Sequence, residues 1–228
     1  MREIVLDTET TGLDPFAGDR IVEIGAVELI NHMPTGKTYH QYINPQRDMP
    51  EEAFKVHGLG NEFLADKPVF KQIAQEFIDF IADSRLVIHN ASFDMKFLNA
   101  ELEWAGFAKI SMEQALDTLA LARKKFPGAQ ASLDALCRRF AIDNSSRTLH
   151  GALLDSQILA EVYLELLGGR QSGLALSGAP TDSSDNNDGD VWRPQKRPRP
   201  LAPRLTKEEA AAHDGFVKEL GENALWNR

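Results

Sequence analysis

Three hydrophobic elements far apart in the chain each carry a carboxylate at one end, and any fold for this sequence has to account for all three. In REIVLDTETTGL an apolar, β-prone run passes into Thr and Gly, the pattern of a strand ending in a turn. Side chains on a strand alternate faces with period two, so Asp7 and Glu9 project from the same face. RLVIHNASFDMKFLNAELEWAG is a buried-type strand, a polar break at 90–92, and then a helix with Phe97, Leu98 and Leu102 at helical spacing. Asp94 falls in the first turn of that helix, just past a strand end, where open α/β sheets place ligand groups. HGALLDSQILAEVYLELLGG reads as an amphipathic helix closed by a Gly pair, with Leu153, Leu154, Ile158, Leu159, Val162, Leu166 and Leu167 as its buried stripe. Asp155 sits early on this helix, while His150 precedes it beside Gly151 and is freer to move.

Each piece alone has a plainer reading. A strand-end acid is more often a solvated turn residue, an Asp in a first helical turn favours the helix dipole, and a lone His is usually surface. The joint pattern outweighs these, because each hydrophobic element carries its acid at the same kind of place. Four carboxylates with no Lys or Arg among them repel one another unless cations bind there. Hard oxygen ligands suit Mg²⁺ or Mn²⁺ better than zinc, which prefers Cys and His.

Asp7 and Glu9 as DxE, Asp94 after a strand, and His150 with Asp155 as HxxxxD together resemble the motifs of the DEDDh family of 3′→5′ exonucleases. The resemblance covers about the first 170 residues and extends to VHGL at 56–59, similar to a family segment near the substrate. It implies a ribonuclease H-like fold, a mixed sheet flanked by helices. The sequence supports this independently. Strand-like runs at 4–6, 21–30 and 38–43 follow one another with short connections, as antiparallel neighbours do. After Lys71 helical patterns alternate with a strand at 86–88 and a short one near Ala115.

The resemblance also implies roles. Asp7, Glu9, Asp94 and Asp155 would hold two divalent ions, Mg²⁺ or Mn²⁺, with Asp7 bridging them, and His150 would be the general base. Thr10 and Leu13 are expected to shape the pocket for the terminal nucleotide, Thr10 by backbone contact to the 3′-OH and Leu13 by packing on the base. His57 of VHGL is expected beside the substrate.

Of 228 residues 43% are hydrophobic, enough for one sizeable core and short of two full domains. The chain opens directly on a strand and has no long apolar run, so neither a signal peptide nor a membrane span is expected. A single cysteine, Cys137, reads as a buried thiol in SLDALCRRFAI, and a cytoplasmic location follows. The net charge of −9 argues against a broad electrostatic grip on nucleic acid, since Lys and Arg supply most affinity for phosphates. Weak intrinsic DNA binding, and a partner that delivers the substrate, are therefore expected.

The tail fits such a partner. Ser, Asp, Asn and Gly dominate 177–190, and RPQKRPRPLAPR at 193–204 is basic and Pro-rich, so residues 170–204 read as a flexible tether after an enzyme domain at 1–169. Within 205–228, Thr206 and Glu209 form a capping box, and Phe216, Val217 and Leu220 make an apolar stripe with no core of its own. EEAAAHDGFVKELGENALW resembles the end by which bacterial proofreading exonucleases bind the alpha subunit of their polymerase, which adds Trp226 to that stripe. QSGLAL at 171–176 resembles a sliding-clamp-binding peptide, with Gln171, Leu174 and Leu176 as anchors. Tethering raises the effective substrate concentration into the millimolar range.

The resemblance thus implies a proofreading 3′→5′ exodeoxyribonuclease that acts on single-stranded or frayed DNA 3′ ends and releases 5′-monophosphates. Two other readings stay open: an RNA-processing exoribonuclease, and a structural adaptor between polymerase and clamp. Whether a small accessory subunit binds the catalytic domain is not readable from the chain.

Overall fold

Strand β1 (Arg2–Thr10) is central, and the rest of the sheet is built outward from it. In the computed structural model, which describes residues 1–145, 149–169 and 206–220, the strand order is β3-β2-β1-β4-β5. β2 (Ile21–Ile30) pairs antiparallel with β1, and β3 (Met33–Tyr42) pairs antiparallel with β2. On the other side β4 (Arg85–Ile88) and the short β5 (Ala115–Asp117) run parallel to β1. This is the mixed sheet of a ribonuclease H-like fold.

Helices cover both faces, and strand parity decides which residue meets which helix. Ile4 and Leu6 join the core formed by α3 (Phe70–Ile81) and α4 (Ala91–Ala105). Val5, one position out of phase, packs with Leu159 and Tyr163 of α7 (Ala152–Leu167). α5 (Thr118–Lys125) and α6 (Leu133–Phe140) close a smaller cluster on α7 around buried Cys137. Two short helices, α1 (Glu51–His57) and α2 (Asn61–Leu64), follow β3.

Two sequence expectations need correcting. β3 starts at Met33, five residues before the run read as strand. Asn31 and His32 (φ 51° and 67°) form a tight turn straight out of β2, and the exposed edge position tolerates Pro34 and Gly36, which hide the strand pattern. Leu167 is exposed, because α7 ends there at Gly168, and buried Ala160 and Tyr163 extend its core face instead.

The chain divides into two units, 1–176 and 177–228. The described element of the second is α8 (Lys207–Leu220). Its N-terminus carries the expected reciprocal cap: Thr206 N–H donates to the Glu209 carboxylate (2.8 Å), and Glu209 N–H donates to the Thr206 hydroxyl (3.2 Å). The tether at 170–204, the peptide anchors Gln171, Leu174 and Leu176, and Trp226 lie outside the described residues. Among the described residues no helix is long and apolar enough to cross a membrane.

Candidate active site

Asp7 and Glu9 stand on the α7 face of β1, as their spacing requires, and one glycine brings the third acid to them. Gly25 is the β2 partner of Asp7, and a methyl group there would overlap the backbone of Ala152 and Leu153. Without a side chain at 25 the first turn of α7 lies directly on the sheet. Ser156 fastens it by donating to the Gly25 carbonyl (2.9 Å). Asp155, one residue earlier and 2% exposed, is thereby set over the end of β1.

Side-chain ligand atoms of Glu9, His150 and Asp155 all lie within 4.8 Å of one another. His150 Nδ1 is 3.3 Å from Asp155 Oδ2. The two carboxylates are buried, whereas the His150 side chain is 47% exposed, so the acids are fixed in the sheet and helix and the imidazole reaches in from a loop. Asp7 is outside that triplet but lines a groove with His150 and Asp155.

Asp94 enters from the opposite side of β1. Asn90 takes the left-handed conformation (φ 65°), a turn that Asn tolerates, and its N–H donates to Asp117 (3.0 Å) as the chain swings from β4 into α4. One turn into the helix, Asp94 Oδ1 accepts from both the N–H (3.1 Å) and the hydroxyl (2.8 Å) of Thr8, the residue between Asp7 and Glu9. Burial pushes the Asp94 carboxyl up to about 7, against those hydrogen bonds. Asp94, like Asp7, is outside the Glu9–His150–Asp155 triplet, and its link to the acids of β1 runs through Thr8.

A second groove, of about 330 Å³, opens beside Glu9 and is lined by Thr10, Leu13, Val56, His57 and Phe93. The β1–β2 register shifts by one residue between Glu9 and Thr10, and pairing then continues through Thr10 with Ile21 and Thr11 N–H to the Arg20 carbonyl (2.9 Å). The Thr10 hydroxyl donates to the Gly12 carbonyl (2.6 Å), and its backbone lies beside the His57 imidazole. Leu13 stands 81% exposed at the rim. His57 is buried, its Nδ1 accepts from Leu59 N–H (3.1 Å), and burial with the nearby His150 lowers its proton affinity, so it is neutral at neutral pH. The Val56 carbonyl accepts the His150 N–H (3.1 Å), tying the VHGL segment to the His150 loop.

Val56 and Phe93, part of this groove, were not singled out from the sequence. Both sit beside residues that were, in VHGL and SFD, and adjacency to a motif is the signal that points to them. Gly25 carried no such signal, since its need appears only once β2 and α7 are paired.

Residues 4–163 match the family model described as Exonuclease. A DNA polymerase III subunit epsilon from Rickettsia prowazekii is 53% identical over 223 aligned residues, covering 96% of this chain and 97% of the relative. Among solved structures, exonuclease X in complex with 5′ overhanging duplex DNA is 27% identical, with a TM-score of 0.57 over 72% of this chain and 90% of that one. The nuclease domain of 3′hExo, a DEDDh family member, shares the fold at 20% identity, with a TM-score of 0.64 over 73% and 91%. The chain therefore belongs to the exonuclease family, in its branch of DNA polymerase III epsilon subunits.

Proposed function

We propose that Asp7, Glu9, Asp94, His150 and Asp155 hydrolyse the last phosphodiester at a DNA 3′ end and release a 5′-monophosphate, and that the chain does so as the proofreading subunit of a bacterial replicative polymerase. The convergence of Glu9, His150 and Asp155 from a strand, a loop and a helix carries this reading. DEDDh exonucleases depend on divalent metal, and the four carboxylates here would hold two ions, Mg²⁺ or Mn²⁺. When bound, such a pair supplies Lewis-acid stabilisation of the phosphoryl oxygens and lowers the pKa of the attacking water.

The chain's own groups do the rest. With its Nδ1 turned to Asp155, His150 is steered into the tautomer whose Nε2 accepts a proton, which makes it the general base. Thr8 holds Asp94 against the strand that carries Asp7 and Glu9, and the Ser156–Gly25 bond holds the turn of Asp155 against the neighbouring strand. The groove of Thr10, Leu13 and His57 takes the terminal nucleotide, Leu13 packing on the base and the Thr10 backbone meeting the 3′-OH. A frayed, mismatched end enters such a groove more readily than a paired one, so selectivity needs no reading of bases.

Phe216, Val217 and Leu220 of α8, with Trp226, would bind the polymerase alpha subunit, and Gln171, Leu174 and Leu176 a sliding clamp. These contacts would place the chain in a cytoplasmic replication complex. The test is to incubate the full chain with single-stranded DNA and RNA labelled at the 5′ end, with Mg²⁺ or with chelator. A metal-dependent ladder shortening from the 3′ end of DNA, faint on RNA, is expected. Preference for RNA would move the reading to RNA processing, and no hydrolysis of either would overturn it.

A further inference from the structure

The row of acids on β1 has a groove on each side. Glu9 borders the one assigned above to the terminal nucleotide, and Asp7, two residues back on the same face, borders the other with Asp155, His150, His89, Arg123 and Ser132. This second groove has a volume of about 420 Å³. With a terminal nucleotide in the first groove and its phosphodiester over the acids, the strand that precedes it needs a path away from them, and the second groove adjoins the acids on the free side.

Arg123 is the cation of that groove. It is exposed in the last turn of α5 and makes no ion pair or hydrogen bond among the described residues. Lys125 shows the contrast: its Nζ donates to the carbonyls of Glu165 (3.2 Å) and Leu166 (3.0 Å), which ties it into α7. Residues two apart on a helix point about 200° apart, so one basic side chain is spent on the fold and the other faces the groove. His89 forms the wall next to Arg123, its Nδ1 2.9 Å from the Thr118 hydroxyl. A phosphate approaching the acids of a chain with net charge −9 is repelled, and the Arg123 guanidinium offsets this at one point of a groove that Asp134 also lines, in a fork geometry that matches phosphate.

We propose that this groove is a binding site for the phosphodiester one nucleotide upstream of the scissile bond, with Arg123 as its charged ligand. The assignment rests on the nuclease reading of the acids. It is tested with the full chain on two substrates, a single-stranded DNA oligonucleotide and the p-nitrophenyl ester of thymidine 5′-monophosphate, which has a scissile phosphodiester and nothing upstream. Arg123→Ala is expected to lower kcat/KM about tenfold on the oligonucleotide and to leave the ester unchanged. Arg123→Lys is expected to restore part of the loss. A neutral methylphosphonate at the upstream linkage should cost the wild type the same factor and cost Arg123→Ala nothing more. In chelator, the salt dependence of oligonucleotide binding should fall by about 0.7 in log–log slope. Equal losses on ester and oligonucleotide, or a loss that persists on the methylphosphonate substrate, would overturn the subsite while leaving the nuclease reading intact. If the wild type hydrolyses neither substrate, the nuclease reading fails first and the subsite with it.

Discussion

α7 and α8 both carry apolar stripes and are of similar length, 16 and 14 residues, yet nine residues of α7 are buried, on two sides, and none of α8 is. α7 reads as it does because its apolar side chains meet β1, β2 and the α5–α6 cluster. α8 has the stripe and the cap but leaves Phe216 and Leu220 57% and 38% exposed. The same sequence device thus serves two ends. On α7 it seats the turn that carries Asp155 on the sheet, through Ser156 and the Gly25 carbonyl, and on α8 it leaves an apolar stripe exposed, which the proposed function assigns to a partner. Catalysis needs the first and delivery the second, and the two are expected to fail separately.

The sharpest way to break that separation is Asp7→Ala. Hydrolysis of single-stranded DNA is expected to fall by roughly a thousandfold or more, because one of the four carboxylates proposed to hold the metal ions is lost. Association with the polymerase alpha subunit, followed by gel filtration, should stay at the wild-type level. Loss of association in this variant would mean that the site and the C-terminal helix are not independent.

The converse variant, Phe216→Ala with Leu220→Ala, should weaken polymerase binding about a hundredfold, the scale of removing two central apolar anchors. Hydrolysis of free oligonucleotide should not change, since all five proposed catalytic residues belong to the first unit. A drop in nuclease rate on free DNA would merge the two functions.

How much of this was legible in the residues follows the same divide. Asp7 and Glu9 on one face is arithmetic of the strand, Asp94 in a first helical turn follows from the polar break before it, and the Thr206–Glu209 cap is a local pattern, so each is readable without a fold. What brings them together is not local. The nearness of Glu9 to His150 and Asp155 depends on Gly25 opposing Asp7 across a register that no single segment encodes. The first half of β3 was hidden because an edge strand can carry Pro34, Gly36 and Lys37 and still pair. Arg123 was invisible for a different reason: a run of Arg, Lys and Lys at a helix end looks like ordinary dipole compensation until Lys125 is seen tied to α7.

The packed side of the comparison also stores charge that α8 does not, and pH exposes it. Burial raises the Asp94 pKa to about 7, well above the ordinary carboxylate range. Below about pH 4 the carboxyl is protonated in both folded and unfolded chains, and the group's favourable contribution is fully present. As pH rises toward 7 the unfolded chain ionises first, so stability of the metal-free protein is lost over that interval. Asp94→Asn should remove the dependence and raise the melting temperature of the metal-free protein at pH 8 by about 5 °C. Mn²⁺ should stabilise the wild type at pH 8 and the variant much less. A flat wild-type profile between pH 4 and 8 in chelator would show that Asp94 is not held as a buried acid.

The smallest effect lies in α8 and tests whether its helix exists before its partner arrives. α7 has no glycine in its span, and its helicity is supported by packing, whereas α8 carries Gly215 in its interior with open space around it. Gly costs about 1 kcal/mol relative to Ala in a helix interior, and an unpacked helix has no tertiary contacts to absorb that cost. Gly215 precedes the Phe216, Val217 and Leu220 stripe and lies on the far side of the helix from its centre, so a methyl group there adds no contact to the apolar face. Gly215→Ala should therefore act only by ordering the helix, tightening polymerase binding up to about fivefold through slower dissociation. Circular dichroism of the isolated 205–228 peptide should show more helix in the variant. Higher helicity with unchanged affinity would mean that α8 is already formed when it docks, and that the difference between the two helices is one of partner and not of intrinsic order.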